Sequence, residues 1–149
     1  MRPRYETQEQ LMKERLFAEH IETVKAVKMH KLPDSYKFDY LMSRPLEGQE
    51  GKYRGIGMAE LKCREISRTS YSHWMVSLLK WEKGMSWLQC GLMVVFFVRY
   101  LDGDCYYQMT PETMRETWTE WGGRTRATRD SADIEAMQCI PMSLMKELK

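Results

Sequence analysis

The 149-residue sequence has no long apolar segment and almost no net charge. Its longest apolar run, residues 92–98, is far shorter than the roughly 20 residues that a transmembrane helix needs. Residues 1–6 contain no apolar signal core, so we expect a cytoplasmic protein. Lys and Arg total 23 against 21 Asp and Glu, and this net charge of +2 does not by itself indicate a nucleic-acid partner.

The sequence also lacks the signatures of several catalytic classes. It contains no Gly-x-Ser-x-Gly turn for a serine nucleophile and no glycine-rich phosphate loop. The histidines His20, His30 and His73 have no metal-ligand spacing with Cys or Asp. No Cys-x-x-Cys pair occurs, so we expect reduced, structural thiols at the four cysteines, which are Cys63, Cys90, Cys105 and Cys139.

The hydrophobic pattern predicts two main helices. Residues 8–29 carry apolar side chains at helical spacing without Gly or Pro, and Leu32-Pro33-Asp34 ends this helix. Residues 72–88 are the second helix, with Ser72 available as its N-cap. A short helix is expected within residues 110–121.

Extended segments alternate with these helices. Strands are predicted at residues 36–42, 53–63, 92–101, 105–109 and 136–140, with polar loops at 43–52 and 122–131 and a hairpin turn at Asp102-Gly103. This order indicates an α/β (α+β) fold in which helices flank a mixed central β-sheet. We expect a single domain over residues 1–149, with its core at about residues 8–140.

Asp39, Glu60 and Lys62 are the residues whose positions call for a chemical explanation. Asp39 lies among large apolar neighbours, where an acid is costly unless something pairs with it. Residues two apart in a strand project to one face, so Glu60 and Lys62 point together while Leu61 packs on the other side. Two carboxylates and an amine can therefore converge at one end of the sheet.

This set suits the hydrolysis of phosphodiester bonds. A hard cation such as Mg²⁺ (or Mn²⁺) prefers carboxylate oxygens and retains water in its other positions. The metal would neutralise phosphate charge and lower the pKa of a bound water, while the Lys62 ammonium orients that water. Asp39 and Glu60 are the expected metal ligands, and the backbone carbonyl of Leu61 is a further candidate ligand.

The order of these elements resembles the core of PD-(D/E)XK nucleases: Asp39 comes first, a loop follows, and Glu60-Leu61-Lys62 comes after the glycines of the next strand. The resemblance covers about residues 14–98 and departs from the family pattern in having Phe38-Asp39 in place of Pro-Asp. The stretch from Lys31 onward is also similar to small nucleases of bacteriophages. The resemblance implies a restriction-endonuclease-like core and a metal-dependent enzyme that cuts DNA, located in the host cytoplasm if it is encoded by a phage.

The family often adds a glutamate from the first helix to the catalytic set. Glu14 and Glu19 compete for this role, with Glu22 a distant third. Glu14 lies at the border of the apolar stripe, which would place it against the sheet, so we prefer Glu14. The expected substrate contacts are Lys80, Arg64, Arg124 and Arg126.

Two other interpretations remain open. In the first, the chain is a catalytically inactive nuclease-fold module that binds DNA or a protein; the presence of the full acidic set argues against it. In the second, the late arginines and tryptophans make an interface in an assembly protein that binds no metal. A homodimer is the expected assembly if both DNA strands are cut, because two active sites are then needed, and the segment 118–121 offers an interface.

Overall fold

The computed structural model describes residues 7–123 and 134–149, which contain three α-helices and nine β-strands. The helices are α1 (Gln8–Lys25), α2 (Leu78–Gln89) and α3 (Pro111–Met114). The strands are β1 (Lys28–Lys31), β2 (Tyr40–Pro45), β3 (Tyr53–Cys63), β4 (His73–Ser77), β5 (Met93–Tyr100), β6 (Gly103–Gln108), β7 (Trp118–Gly123), β8 (Ile134–Pro141) and β9 (Lys146–Glu147).

The strands form two sheets. The larger, mixed sheet has the order β1-β2-β3-β5-β6-β9, in which β3 and β5 are parallel and every other neighbouring pair is antiparallel. The smaller sheet has the antiparallel order β4-β8-β7. This arrangement confirms the predicted α+β fold with a mixed central sheet.

The two faces of the large sheet are covered by different elements. Ala59 and Leu61 of β3 pack with Phe17, Ala18 and Ile21 of α1. On the opposite face, Phe96 of β5 lies in a second core that contains residues of α2 and of the small sheet, including Trp81, Trp74, Val76 and Ile140. Because side chains alternate along a strand, Glu60 must project toward this second face.

Several predicted boundaries are confirmed. The strand predicted at residues 53–63 has those bounds, and the apolar run at 92–101 forms β5. The turn at Asp102-Gly103 leads into β6, as expected. The last predicted strand, 136–140, lies within β8.

Other boundaries were wrong where strand pairing overrides a local helical pattern. The first helix ends at Lys25, because Ala26 adopts a left-handed backbone (φ 54°) and residues 28–31 pair with β2. Residues 73–77 form β4, not the start of a helix, since alternate residues Trp74 and Val76 are buried while the backbone pairs with β8.

The predictions for residues 36–52 and 110–131 also need correction. Asp34–Tyr36 is a short 3-10 helix, and β2 begins only at Tyr40, so Asp39 precedes the strand. The start of the predicted loop at 43–52 belongs to β2. The short helix is limited to α3, and Trp118–Gly123 is a strand. The rest of the predicted loop at 122–131 lies outside the described residues. None of the described helices is long and apolar enough to cross a membrane.

Candidate active site

Asp39 is held at the end of β2 by its backbone and by its side chain. Its N–H donates to the carbonyl of Ala59 at 3.2 Å, and its own carbonyl accepts from the N–H of Leu32 at 2.8 Å. Its carboxylate Oδ2 accepts from the N–H of Leu61 at 2.8 Å. The carboxylate is therefore fixed beside β3, although it does not lie within a paired strand.

Glu60 is the most deeply buried acid of this region, with 2% of its surface exposed. It projects toward α2, where Lys80 Nζ lies 2.6 Å from Glu60 Oε2. This contact is an ion pair without hydrogen-bond geometry, so Oε2 has no hydrogen-bond partner among the described residues. This buried oxygen therefore depends on the positive charge of Lys80 for its compensation.

The carboxyl groups of Asp39 and Glu60 interact directly. Burial and then the negative charge of Asp39 raise the pKa of Glu60 to about 8. Burial alone would raise the pKa of Asp39 as well, but hydrogen bonds from Glu60 and Leu61 and the charges of Lys80 and Lys31 lower it overall. At neutral pH these opposite shifts favour a protonated Glu60 beside an ionised Asp39.

Lys62 lies beyond Glu60 on β3 and is exposed. Its charge lowers the pKa of Glu60, which shows that the two groups are close. Alternation along the strand places both side chains on the same face. An ammonium group that is accessible to solvent therefore stands beside a buried acidic pair.

Glu14 approaches Asp39 from the side of α1 through a lysine. The side chain of Glu14 is 13% exposed and forms an ion pair with Lys31 Nζ, which also lies 3.7 Å from Asp39 Oδ1. Burial opposes the positive charge of Lys31, but the hydrogen bond to Glu14 and the charge of Asp39 raise its pKa overall. Lys31 thus links the helix acid to the strand acid.

The other two helix acids lie elsewhere. The side chain of Glu19 is 53% exposed and lies 3.4 Å from Arg15 Nε on the same helix. Glu22 accepts from the backbone N–H of Met29 at 2.8 Å and pairs with Lys28, so it stabilises the turn from α1 into β1. The structure therefore brings Glu14, and neither Glu19 nor Glu22, toward Asp39.

Comparison with known protein families yields a match over nearly the whole chain. The model of a family described as "Phage putative PDDEXK endonuclease" matches residues 1–148. The chain belongs to this phage PD-(D/E)XK endonuclease family. No curated protein and no solved structure is significantly similar to the chain.

The PD-(D/E)XK family implies a divalent metal, and the residues present fit one. The donors are oxygen atoms, which Mg²⁺ and Mn²⁺ prefer. Glu60 Oε2 is buried without a hydrogen-bond partner among the described residues, and ammonium groups already lie against the carboxylates of Glu60, Asp39 and Glu14. Positive charge is thus required where these acids meet, and a divalent cation would supply it.

The backbone of Leu61 also borders this candidate site. The N–H and C=O of a strand residue point to the same side, and the N–H of Leu61 points at Asp39. The carbonyl of Leu61 therefore faces the same side, beyond the end of β2. This position agrees with its expected role as a metal ligand.

The candidate substrate contacts are distributed differently. Lys80 lies beside the acidic residues Asp39 and Glu60, because it pairs with Glu60. Arg64 follows the end of β3 and is exposed, with its backbone N–H donating to the carbonyl of Arg99 at 2.7 Å. Arg124 and Arg126 lie outside the described residues.

Sequence reasoning missed one residue of the candidate site and one cluster on the small sheet. The local pattern does not predict a role for Lys31, because nothing in it shows that β1 pairs with β2. The spacing of His73 indicated no metal ligands, but strand pairing brings it close to Glu120 and Cys139. Both arrangements depend on contacts between residues that are distant in sequence.

Proposed function

We propose that the chain is a Mg²⁺-dependent deoxyribonuclease that hydrolyses phosphodiester bonds of DNA, with Mn²⁺ as an alternative metal. The observation that carries the proposal is the buried Glu60 next to the half-buried Asp39 and the exposed ammonium of Lys62. Membership of a phage endonuclease family supports a nucleic acid as the substrate.

In this proposal, Asp39, Glu60 and the carbonyl of Leu61 hold the metal, and Glu14 contributes from α1 directly or through a water. When bound, Mg²⁺ neutralises phosphate charge and lowers the pKa of a nearby water. Glu60 would hold the metal as the carboxylate, with its proton lost to solvent.

Lys62 acts on the substrate side. Its ammonium is exposed, so it can reach a phosphate and the attacking water together. A compact ammonium with three donors can orient the water and stabilise the negative charge that develops on the phosphoryl oxygens. Arg64, exposed two residues further along, is placed to contact a neighbouring phosphate.

Lys80 has a role that depends on the metal. In the metal-free protein its ammonium balances the negative charge of the Asp39–Glu60 pair. With a cation held at this pair, Lys80 would be available to contact the substrate phosphate.

The direct test incubates the purified protein with supercoiled plasmid, linear duplex, single-stranded DNA and single-stranded RNA, in Mg²⁺, Mn²⁺ or EDTA. Lys62→Ala is compared with Lys52→Ala, a matched exposed lysine just before the other end of β3. We expect metal-dependent cleavage of DNA that Lys62→Ala loses and Lys52→Ala retains, with melting temperatures unchanged because both side chains are exposed.

Cleavage by Lys62→Ala at the wild-type rate, or cleavage by the wild type in EDTA, would contradict the mechanism. Cleavage of RNA alone would support the proposed catalytic site but would show that the substrate is RNA. An absence of cleavage and of metal binding by calorimetry would favour the inactive binding module.

A further inference from the structure

A group of side chains with atoms that could hold a metal ion lies on the small sheet. His73, Glu120 and Cys139 each offer a ligand atom, and these atoms all lie within 4.8 Å of one another. The three residues come from three different strands, β4, β7 and β8.

Strand register explains why these residues meet. Cys139 of the central strand β8 stands opposite Met75 of β4 and Trp118 of β7. His73 is two residues from Met75, and Glu120 is two residues from Trp118. Since side chains alternate along a strand, all three candidate ligands project from the same face.

That face is the outer face of the small sheet. The alternate residues Trp74, Val76 and Ile140 point into the core that α2 shares with the large sheet. Cys139 is nonetheless fully buried, while Glu120 is exposed. The Cys139 thiol is therefore shielded from solvent, whereas the Glu120 carboxylate is accessible to it.

Contacts within the group show that its members already interact. The Cys139 thiol donates to Glu120 Oε2 at 3.1 Å, and the indole N–H of Trp118 donates to the same oxygen at 2.6 Å. Ser72 Oγ lies 3.2 Å from Nδ1 of His73. Such neighbours orient ligands in metal sites.

We propose that His73, Glu120 and Cys139 form a Zn²⁺ site that ties together the three strands of the small sheet, with water as the fourth ligand. Imidazole, thiolate and carboxylate are all established zinc ligands. At zinc–ligand distances of about 2.0–2.3 Å, tetrahedral geometry separates the ligand atoms by about 3.3–3.8 Å. The candidate ligand atoms already lie within 4.8 Å of one another, so side-chain rotations would bring them to this spacing.

Binding requires loss of the thiol proton. The S–H bond of Cys139 breaks, the proton passes to solvent, and the sulfur–zinc bond forms. Because the metal displaces this proton, the affinity should increase with pH.

Cobalt gives a test that is separate from nuclease activity. Co²⁺ is titrated into the metal-free full-length protein, without DNA, and absorbance is followed. We expect four-coordinate visible bands and a sulfur-to-cobalt charge-transfer band that saturate at one Co²⁺ per chain and are removed by Zn²⁺. The proposed Mg²⁺ site contains no sulfur ligand, so a cation bound there gives no such band.

The variants identify the ligands. Cys139→Ser should abolish the charge-transfer band, and Glu120→Gln and His73→Phe should weaken Co²⁺ binding by roughly tenfold or more. Cys63→Ser and Cys90→Ser, which change the two exposed cysteines, should leave the band unchanged. Glu120 is exposed, so its variant tests the proposal even if Cys139→Ser fails to fold.

The proposal is overturned if the wild type shows no charge-transfer band, or if Cys63→Ser or Cys90→Ser removes it. It is equally overturned if Glu120→Gln and His73→Phe bind Co²⁺ as tightly as the wild type. None of these results depends on whether the chain cleaves DNA.

Discussion

Lys80 Nζ lies 2.6 Å from Oε2 of Glu60, a carboxylate that is almost completely buried. The lysine comes from α2 and the glutamate from β3, so this contact joins the helix to the large sheet beside Asp39. The ammonium of Lys80 provides positive charge where Glu60 and Asp39 would otherwise repel one another. The need for this positive charge leads to the first two predictions.

Removal of Lys80 should lower the free energy of unfolding, because Glu60 is buried. Lys80→Met leaves Glu60 without its counter-ion, and above the pKa of Glu60, at about 8, this should destabilise the metal-free protein by about 1–3 kcal/mol. Urea denaturation measures the free energy of unfolding. The double variant Lys80→Met/Glu60→Gln should recover much of the loss, because the buried charge of Glu60 is removed together with its partner; additive effects of the two changes would show that the pair is not coupled.

Glu60 should also make the stability of the metal-free protein depend on pH. Its pKa is raised from 4.5 to about 8 in the folded chain. A carboxyl group with a raised folded-state pKa contributes stability that is complete below its unfolded pKa and is lost as pH rises through the folded pKa. The protein in EDTA should therefore lose stability from about pH 4.5 to about pH 8.

Glu60→Gln should remove this loss, so its advantage in melting temperature over the wild type should grow across the same pH range. Glu50→Gln, in an exposed turn, is the matched control and should follow the wild type. A Glu60→Gln variant that tracks the wild type at every pH would show that Glu60 is ionised in the folded metal-free protein.

The helix acid can be assigned by comparing two glutamates of α1. Glu14→Gln should reduce Mg²⁺ affinity or cleavage by roughly 10- to 100-fold, because Glu14 is linked to Asp39 through Lys31. Glu19→Gln should have little effect, since Glu19 pairs with Arg15 on the helix surface. Calorimetry with Mg²⁺ and plasmid cleavage measure the two quantities, and equal effects of the two variants would argue against the role of Glu14.

Two glycines of β3 should differ in their tolerance of a side chain. A Cβ at Gly57 would lie 2.7 Å from Met42 Cε and 3.0 Å from the backbone oxygen of Met93, whereas at Gly55 the nearest atom is Leu41 Cδ1 at 3.2 Å. Gly57→Ala should therefore cost about 1–3 kcal/mol of stability through overpacking. Gly55→Ala, beside a flexible side chain, should cost less in the same urea titration; the reverse order would contradict the close packing of β3 against β5.

Some features of the molecule follow from local sequence. The bounds of β3 were predictable because alternation, two glycines and flanking polar segments all agree. The apolar run of β5 could only be a strand buried on both faces. Asp39, Glu60 and Lys62 were recognisable because charged residues next to apolar strand positions require an explanation.

Local sequence was ambiguous where two periodicities fit the same residues. Residues 73–77 satisfy both the helical spacing of α2 and the alternation of a strand, and pairing with β8 decides between them. Likewise, residues 28–29 continue the stripe of α1, but the backbone reverses at Ala26 and joins β2. In both cases hydrogen bonds to a distant strand outweigh a weak helical preference.

The sequence by itself therefore determined the fold class, the main strands and the three residues that centre the candidate site. Only the tertiary structure decided which helix acid faces Asp39, that Lys31 and Lys80 neutralise the acidic pair, and that His73 meets Glu120 and Cys139. The physical reason is that periodicity specifies the face on which a side chain lies. Its electrostatic partners are set by strand pairing and helix packing across long separations in sequence.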